Sequence, residues 1–456
     1  MKFENGLFIF RRDFRIIDNT GLNLAHSKCN NIFGCFIFTP EQVGQGNPYK
    51  SNNAVQFMIE SLENLNTHMG NKLITLYGSN KKIIYELIKS CKIDYICFNK
   101  DYSPYALERD EEIVELCKKM GVECEITPDY YLHEPGTIFS GSKTPYQKFT
   151  PFYNACINKR VQPVAPARSI RFSNKNIEHS ISLKTAMSRF TKQNPDILVH
   201  GGRENAIKTL DIAKKTQKHY SSTHNDLDKN TTQLSAYIKF GCVSIREVYF
   251  AFKSRAYHDI VRQLIWRDFY MNILYAYPHV LGKAMKPNYN KVKWSKNSRY
   301  LHAWETGTTG YPIVDAAMRQ LNETGYMHNR ARLIVASFLV KTLLIDWREG
   351  EEYFATKLTD YDPASNNGNW QWIAGTGADS QPYFRIFNPW QQSENFDPDA
   401  IYIKHFIPEL KDVPAKAIHN WENTYSEYKN VHYPKPIVDY SKQKDLALKM
   451  YSSVFH

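Results

Sequence analysis

Through the first 127 residues, short apolar runs alternate with amphipathic stretches, and beyond about residue 196 the strand signal all but vanishes. This change of period constrains the fold more than any single motif. Residues 6–10, 32–38, 72–77, 94–98 and 123–126 read as buried strands, and 53–65, 81–90 and 105–119 carry helical spacing of apolar residues. Strand and helix in alternation predict a parallel sheet covered on both faces, an α/β domain over 1–127. No Gly-x-Gly-x-x-Gly follows the first strand, which counts against a nicotinamide dinucleotide site there. From 128 to 195, Pro128, Pro135, Pro145, Pro151, Pro163 and Pro166 break the periodicity, and a connector with one or two short helices is expected. Helical patterns then run through 234–240, 245–253, 258–275, 313–323 and 327–345, so 196–456 is expected to be an all-helical domain.

A chain of 456 residues with 42% hydrophobic content fills two or three domains with sizeable cores. A formal net charge of +12 points to a polyanionic partner or an anionic surface. None of the 8 cysteines forms a Cys-x-x-Cys pair and none follows Cys242, which argues against a zinc or iron–sulfur centre, so no metal is expected. Scattered cysteines, an N-terminus without a signal-peptide core and no apolar run of spanning length lead to the expectation of a soluble intracellular monomer with no membrane partner.

All 8 tryptophans follow residue 265, and Trp370 and Trp372 share the heptapeptide 366–372. Indole is readily oxidised by one electron and stacks well on bases and flavins. Redox chemistry beside nucleic acid and a large helical core filled with tryptophan both fit. In the stretch 327–345, apolar nearly all round past Arg332, Arg330 and Arg332 point to opposite sides. At least one is desolvated and needs a carboxylate, for which Asp360 and Asp362 are placed, or an anionic ligand. Thr231, Thr232, Gln233, Leu234 and Ser235 stand where a helix begins, which suits ordinary N-capping or a phosphate. The run 289–300 interleaves Lys291, Lys293, Lys296 and Arg299 with Tyr289, Trp294 and Tyr300, as a nucleic-acid contact or a solvated loop would.

Taken together, Phe10–Arg15 with Asp18 and Asn19, Leu234–Tyr237, Leu264–Tyr270, Thr309–Arg319, Met327–Arg332, Asn366–Trp372 and Pro382–Pro389 resemble the photolyase/cryptochrome family, in family order to about residue 410. The resemblance implies a Rossmann-like α/β antenna domain joined to an all-α FAD-binding domain. It implies that Tyr220 and Thr231, Thr232, Gln233, Leu234 and Ser235 hold FAD phosphates and ribitol. Arg332 with Asp360 would brace the flavin ring, Asp362 would touch it, and Asn366 would face its protonating nitrogen. Trp370, Trp347 and Trp294 match the proximal, middle and surface members of an electron-hopping chain. Gln263, Trp266 and Trp372 match the walls of a lesion pocket, and Asn329, Arg330 and Gln392 match contacts to flipped-out DNA. The implied partner is UV-damaged DNA, with a pyrimidine dimer split by an electron lent from reduced FAD.

Some positions depart from the bacterial cyclobutane-dimer pattern. Gln263 stands where many members have glutamate, and Leu333 where many place methionine against the dimer. Tyr105 and Ala106 replace the Asn-Glu pair of folate-binding members, leaving a deazaflavin, a flavin or no second antenna chromophore. Two other activities stay open: repair of (6-4) photoproducts, against which the lack of histidine at Asn329 and Leu333 counts, and a cryptochrome-type light sensor, against which Asn366 counts, since plant sensors carry aspartate there.

Overall fold

A computed structural model describes residues 2–455; Met1 and His456, the outer ends of the two predicted domains, lie outside the described residues. Strands β1 (Phe3–Ile9), β2 (Cys29–Phe38), β3 (Leu73–Tyr77), β4 (Tyr95–Asn99) and β5 (Glu123–Thr127) form a parallel sheet in the order β3-β2-β1-β4-β5. β2 from Ile32 onward, β3 and β4 are nearly unbroken buried runs, as strands covered on both faces require, whereas the edge strand β5 is at most half-buried. A sixth, β6 (Phe172–Ser173), pairs parallel with β2 from within the proline-rich stretch, where the sequence predicts no strand.

Helices α1 (Thr20–Lys28), α2 (Asn52–His68), α3 (Asn80–Cys91) and α4 (Pro104–Met120) link the strands. Alternation along each strand sorts the side chains. Ile9, Ile37, Ile96 and Phe98 meet Leu87 of α3 and Ile113 of α4, whereas Phe8, Phe10, Phe36 and Phe38 meet Leu22 of α1 and Phe57 of α2. The second of these cores continues into the helical half, where Phe14 stacks on Phe240 with centroids 6.0 Å apart.

A buried ionic knot closes the joint. Asp129 accepts hydrogen bonds from Arg15 and from Arg246 (2.7 Å), and Arg246 also reaches Asp18 at 2.9 Å. Burial works against the Asp129 charge, but the two guanidinium groups outweigh it and hold the carboxyl below its usual range. Arg12 adds a second tie, donating to Asp362 at 2.7 Å.

The helical half includes α5 (Phe149–Ile157), α6 (His258–Ala276), α7 (Asn329–Lys341), α8 (Trp347–Lys357) and α9 (Pro363–Ala374). Trp304, Trp347, Trp370, Trp390 and Trp421 are buried in its core, while Trp266, Trp294 and Trp372 are only half-buried. Indole is therefore both filler and surface here. Helix α7 stops at Lys341, short of the predicted 345, because the Leu343 N–H folds back onto the Phe338 carbonyl (2.9 Å) and Leu344 turns to φ +61°. Among the described residues no helix is long and apolar enough to cross a membrane, and no cluster of metal-ligating side chains occurs.

Candidate functional site

Three helices each turn one stripe toward a common cavity of about 450 Å³. Gln263, Trp266, Arg267 and Tyr270 come from α6, Asn329, Arg332, Leu333 and Ala336 from α7, and Asn366, Asn369, Trp370 and Ile373 from α9. Every set follows the i, i+3, i+4, i+7 spacing of a single helix face. Two glycines let the helices close in. A Cβ on Gly368 would lie 2.1 Å from the Tyr270 ring, and one on Gly350 would lie 2.1 Å from the Trp370 ring.

The cavity is graded from rim to floor. Gln263 and Asn329 are exposed, Trp266, Leu333 and Trp372 half-buried, and Asn366 and Trp370 buried. Phe149 of α5 covers one face of Trp266, with centroids 3.7 Å apart and planes inclined by 4°.

On the floor, Arg332 donates to Asp360 Oδ2 at 2.9 Å, and Asp360 Oδ1 is buried with no hydrogen-bond partner. Burial opposes the Arg332 charge, but Asp360 outweighs it and raises the guanidinium pKa. The Asn366 amide donates to the Glu351 carbonyl at 2.9 Å. Glu351 in turn accepts from Asn367 at 3.0 Å, and burial pushes its carboxyl up to about 7. Asp362 lines the cavity, but its carboxylate is already engaged by Arg12 and caps α9 through the Ser365 N–H (3.0 Å). Burial would raise its pKa; Arg12, Lys239 and Arg267 hold it well below the carboxylate range instead.

Tyr220, Thr232, Leu234 and Ser235 complete one wall. The N-capping account of this segment does not hold. The cap position of the short helix Ser235–Lys239 falls on Leu234, which offers no side-chain bond, and Thr231 pairs with the Tyr326 hydroxyl at 3.2 Å. Gln233 adopts φ +53° and, like Thr231, does not line the cavity. Arg330, on the far side of α7, also lies outside; it reaches Asn225 at 2.8 Å and covers the Phe396 ring at 4.4 Å, with no carboxylate paired to it among the described residues. Gln392 lies outside the cavity too, with its side-chain oxygen buried and unpartnered.

Of the expected electron chain only Trp370 lines the cavity. Trp347 opens α8, three residues before the Gly350 that lies against Trp370. Ser295 pairs with Ile345 as a parallel bridge, which sets Trp294 beside the segment entering α8. Trp370 also meets Trp304 edge-on at 6.1 Å, an indole to which the sequence assigns no role. Arg267 and Tyr270 are likewise unassigned by sequence; counting four and seven places on from Gln263 would have found them.

A second cavity, of about 310 Å³, opens beyond the C-terminal ends of β1 and β2, at the point where strand order reverses between β1 and β4. Phe10, Phe36, Asp101, Tyr105, Ala106 and Arg109 help to line it. Lys239 and Tyr361 belong to both cavities. Burial, with Arg12 nearby, pushes Lys239 down to about 7.

A doubly covered parallel sheet joined to a helical half with an aromatic and acid-lined cavity defines a two-domain protein built to hold a nucleotide-type cofactor. Residues 7–168 match the model of the DNA photolyase family, and 260–453 match that of the FAD binding domain of DNA photolyase. The deoxyribodipyrimidine photo-lyase of Halobacterium salinarum is 35% identical over 476 residues, spanning 98% of this chain and 98% of its own. The structure of the archaeal photolyase from Sulfolobus tokodaii, solved with two FAD molecules, superposes with a TM-score of 0.88 at 39% identity, over 98% of this chain and 100% of that one. Synechocystis cryptochrome superposes with a TM-score of 0.89 at 29% identity, over 99% and 100%. The chain belongs to the DNA photolyase family and carries its FAD-binding domain. The site fits that cofactor: the unpartnered Asp360 oxygen beside Arg332 leaves an acceptor on the cavity floor.

Proposed function

We propose that this protein repairs UV-damaged DNA in light, acting on cyclobutane pyrimidine dimers. One observation carries the reading: the rim indoles Trp266 and Trp372 and the amide of Gln263 share a single cavity with the Arg332–Asp360 brace and Asn366. Bound FAD, when reduced, supplies blue or near-UV absorption and a one-electron donor. The surrounding residues then have separable tasks. Trp266 and Trp372 flank the flipped-out dimer, and Gln263 offers it both a donor and an acceptor. A dimer stacks and pairs poorly, so drawing it from the duplex costs less than flipping normal bases. Asn329 and Gln392 meet the strand, and Arg330, with no carboxylate paired to it among the described residues, takes a backbone phosphate. The net charge of +12 supplies the salt-dependent part of the affinity.

Tyr220 with the segment Thr231–Ser235 holds the cofactor's phosphates and ribitol, Arg332, Asp360 and Asp362 border its ring, and Asn366 faces it. Trp370, Trp347 and Trp294 carry electrons inward from the surface. The Sulfolobus tokodaii photolyase structure holds two FAD molecules and implies a novel light-harvesting cofactor; the cavity at the strand ends, with its aromatic and charged lining, suits a second flavin-type chromophore here.

The likeness to Synechocystis cryptochrome keeps a light sensor as the second reading. One assay separates the two. Purified flavin-loaded protein should restore UV-irradiated oligothymidine under blue light and not in the dark, with no action on a (6-4) substrate run in parallel. Binding without light-dependent repair would favour the sensor, and activity on the (6-4) substrate alone would overturn the dimer assignment.

A further inference from the structure

The cation-rich run 289–300 is not absorbed by the lesion cavity. Tyr289 and Val292 are buried and fasten it, while Lys291, Lys293, Lys296 and Arg299 stand exposed, none ion-paired among the described residues. Trp294, between them, is half-buried, and its ring meets Tyr451 edge-on at 5.8 Å. Just past Tyr451, Ser453 and Phe455 join Asn288, Lys291 and Lys293 around an open concavity of about 680 Å³. Phe455 is 50% exposed and rests edge-on against Tyr289 at 5.4 Å. Two exposed ammonium groups and an exposed aromatic ring thus border this concavity, and Lys293 directly precedes Trp294, the indole read as the outer end of the electron chain.

We propose that this concavity docks a small anionic one-electron reductant that refills Trp294. The proposal rests on the reading of Trp294 as the surface member of that chain. After the indole has given up an electron it is a radical cation. A donor of the ascorbate type returns one electron to the ring and releases one proton to water; the indole is again neutral and the donor leaves as a radical anion. Lys291 and Lys293 raise the local concentration of such an anion and slow its escape.

The test is flash photolysis of the flavin-loaded protein, following decay of the tryptophan radical with ascorbate or with uncharged ferrocenemethanol. In the double variant Lys291→Glu, Lys293→Glu, the second-order constant for ascorbate should fall about tenfold at low salt and lose its salt dependence. The constant for ferrocenemethanol should stay close to the parent's. An unchanged ascorbate constant overturns the proposal, as does a variant that loses only affinity for undamaged DNA, which would make the surface a nucleic-acid contact. If Trp294→Phe leaves the radical signal intact, the electron-chain reading fails on its own. Quenching of Trp294 emission, taken as parent minus Trp294→Phe, then decides on cofactor-free protein: iodide should quench less in the double variant and acrylamide equally, and equal iodide quenching rejects the site.

Discussion

Phe149, from the proline-rich connector, lies flat on the indole of Trp266 at 3.7 Å between centroids, so a residue that precedes the predicted helical domain sets the pose of a rim side chain of the cavity. Phe149→Ala should leave flavin content unchanged and weaken binding of dimer-containing DNA about fivefold, the roughly 1 kcal/mol of one aromatic stack. Fluorescence anisotropy with damaged and undamaged duplexes reads this. Equal weakening on both duplexes would reduce Phe149 to a packing residue.

Asp360→Asn removes the charge opposite Arg332 while keeping the shape. With a partly buried guanidinium left unbalanced, FAD should bind about thirtyfold more weakly, in line with a loss of ~2 kcal/mol. Flavin absorbance per protein after gel filtration measures it, and full retention of flavin would contradict the brace.

The buried Glu351 carboxyl holds its proton more tightly in the folded chain than in the unfolded one, with its pKa raised to about 7. Stability from this group is therefore complete below the ordinary carboxyl range, is lost as pH rises toward about 7, and is level above it; the total is about 3 kcal/mol. Glu351→Gln, whose amide oxygen still accepts from Asn367, should melt with the parent at pH 5 and a few degrees above it at pH 8. Parallel melting curves across that range would refute the shift.

Trp294→Phe should slow photoreduction of the flavin by at least about tenfold while leaving repair by chemically reduced protein nearly intact. Equal loss of both activities would make Trp294 a packing residue.

The parallel strands were legible because strands covered on both faces are written as continuous apolar runs, as in 32–38 and 94–98. Helix α1 was not: Thr20–Lys28 buries only Gly21, Leu22 and Ala25, too few apolar positions for a period to emerge. Within the cavity, the α6 and α7 stripes could be counted from the helical spacing at 258–275 and 327–345, whereas the sequence reading placed no helix over 363–374. Arg12 and Asp362 could not be paired this way, since 350 positions separate them and only the tertiary fold joins them. The hydroxyl-rich segment at 231–235 misled for a local reason. Its residues look like caps, but the backbone reverses at Gln233 and hands the cap position to Leu234.

Lys239 and Tyr361 border both cavities, so chromophores seated in the two would be parted by one layer of side chains. Resonance coupling between dyes falls steeply with separation, and the Arg15–Asp129–Arg246 knot keeps the halves from drifting apart. The yield of energy passed from one dye to the other would then be written into a rigid partition rather than left to the swing of a hinge.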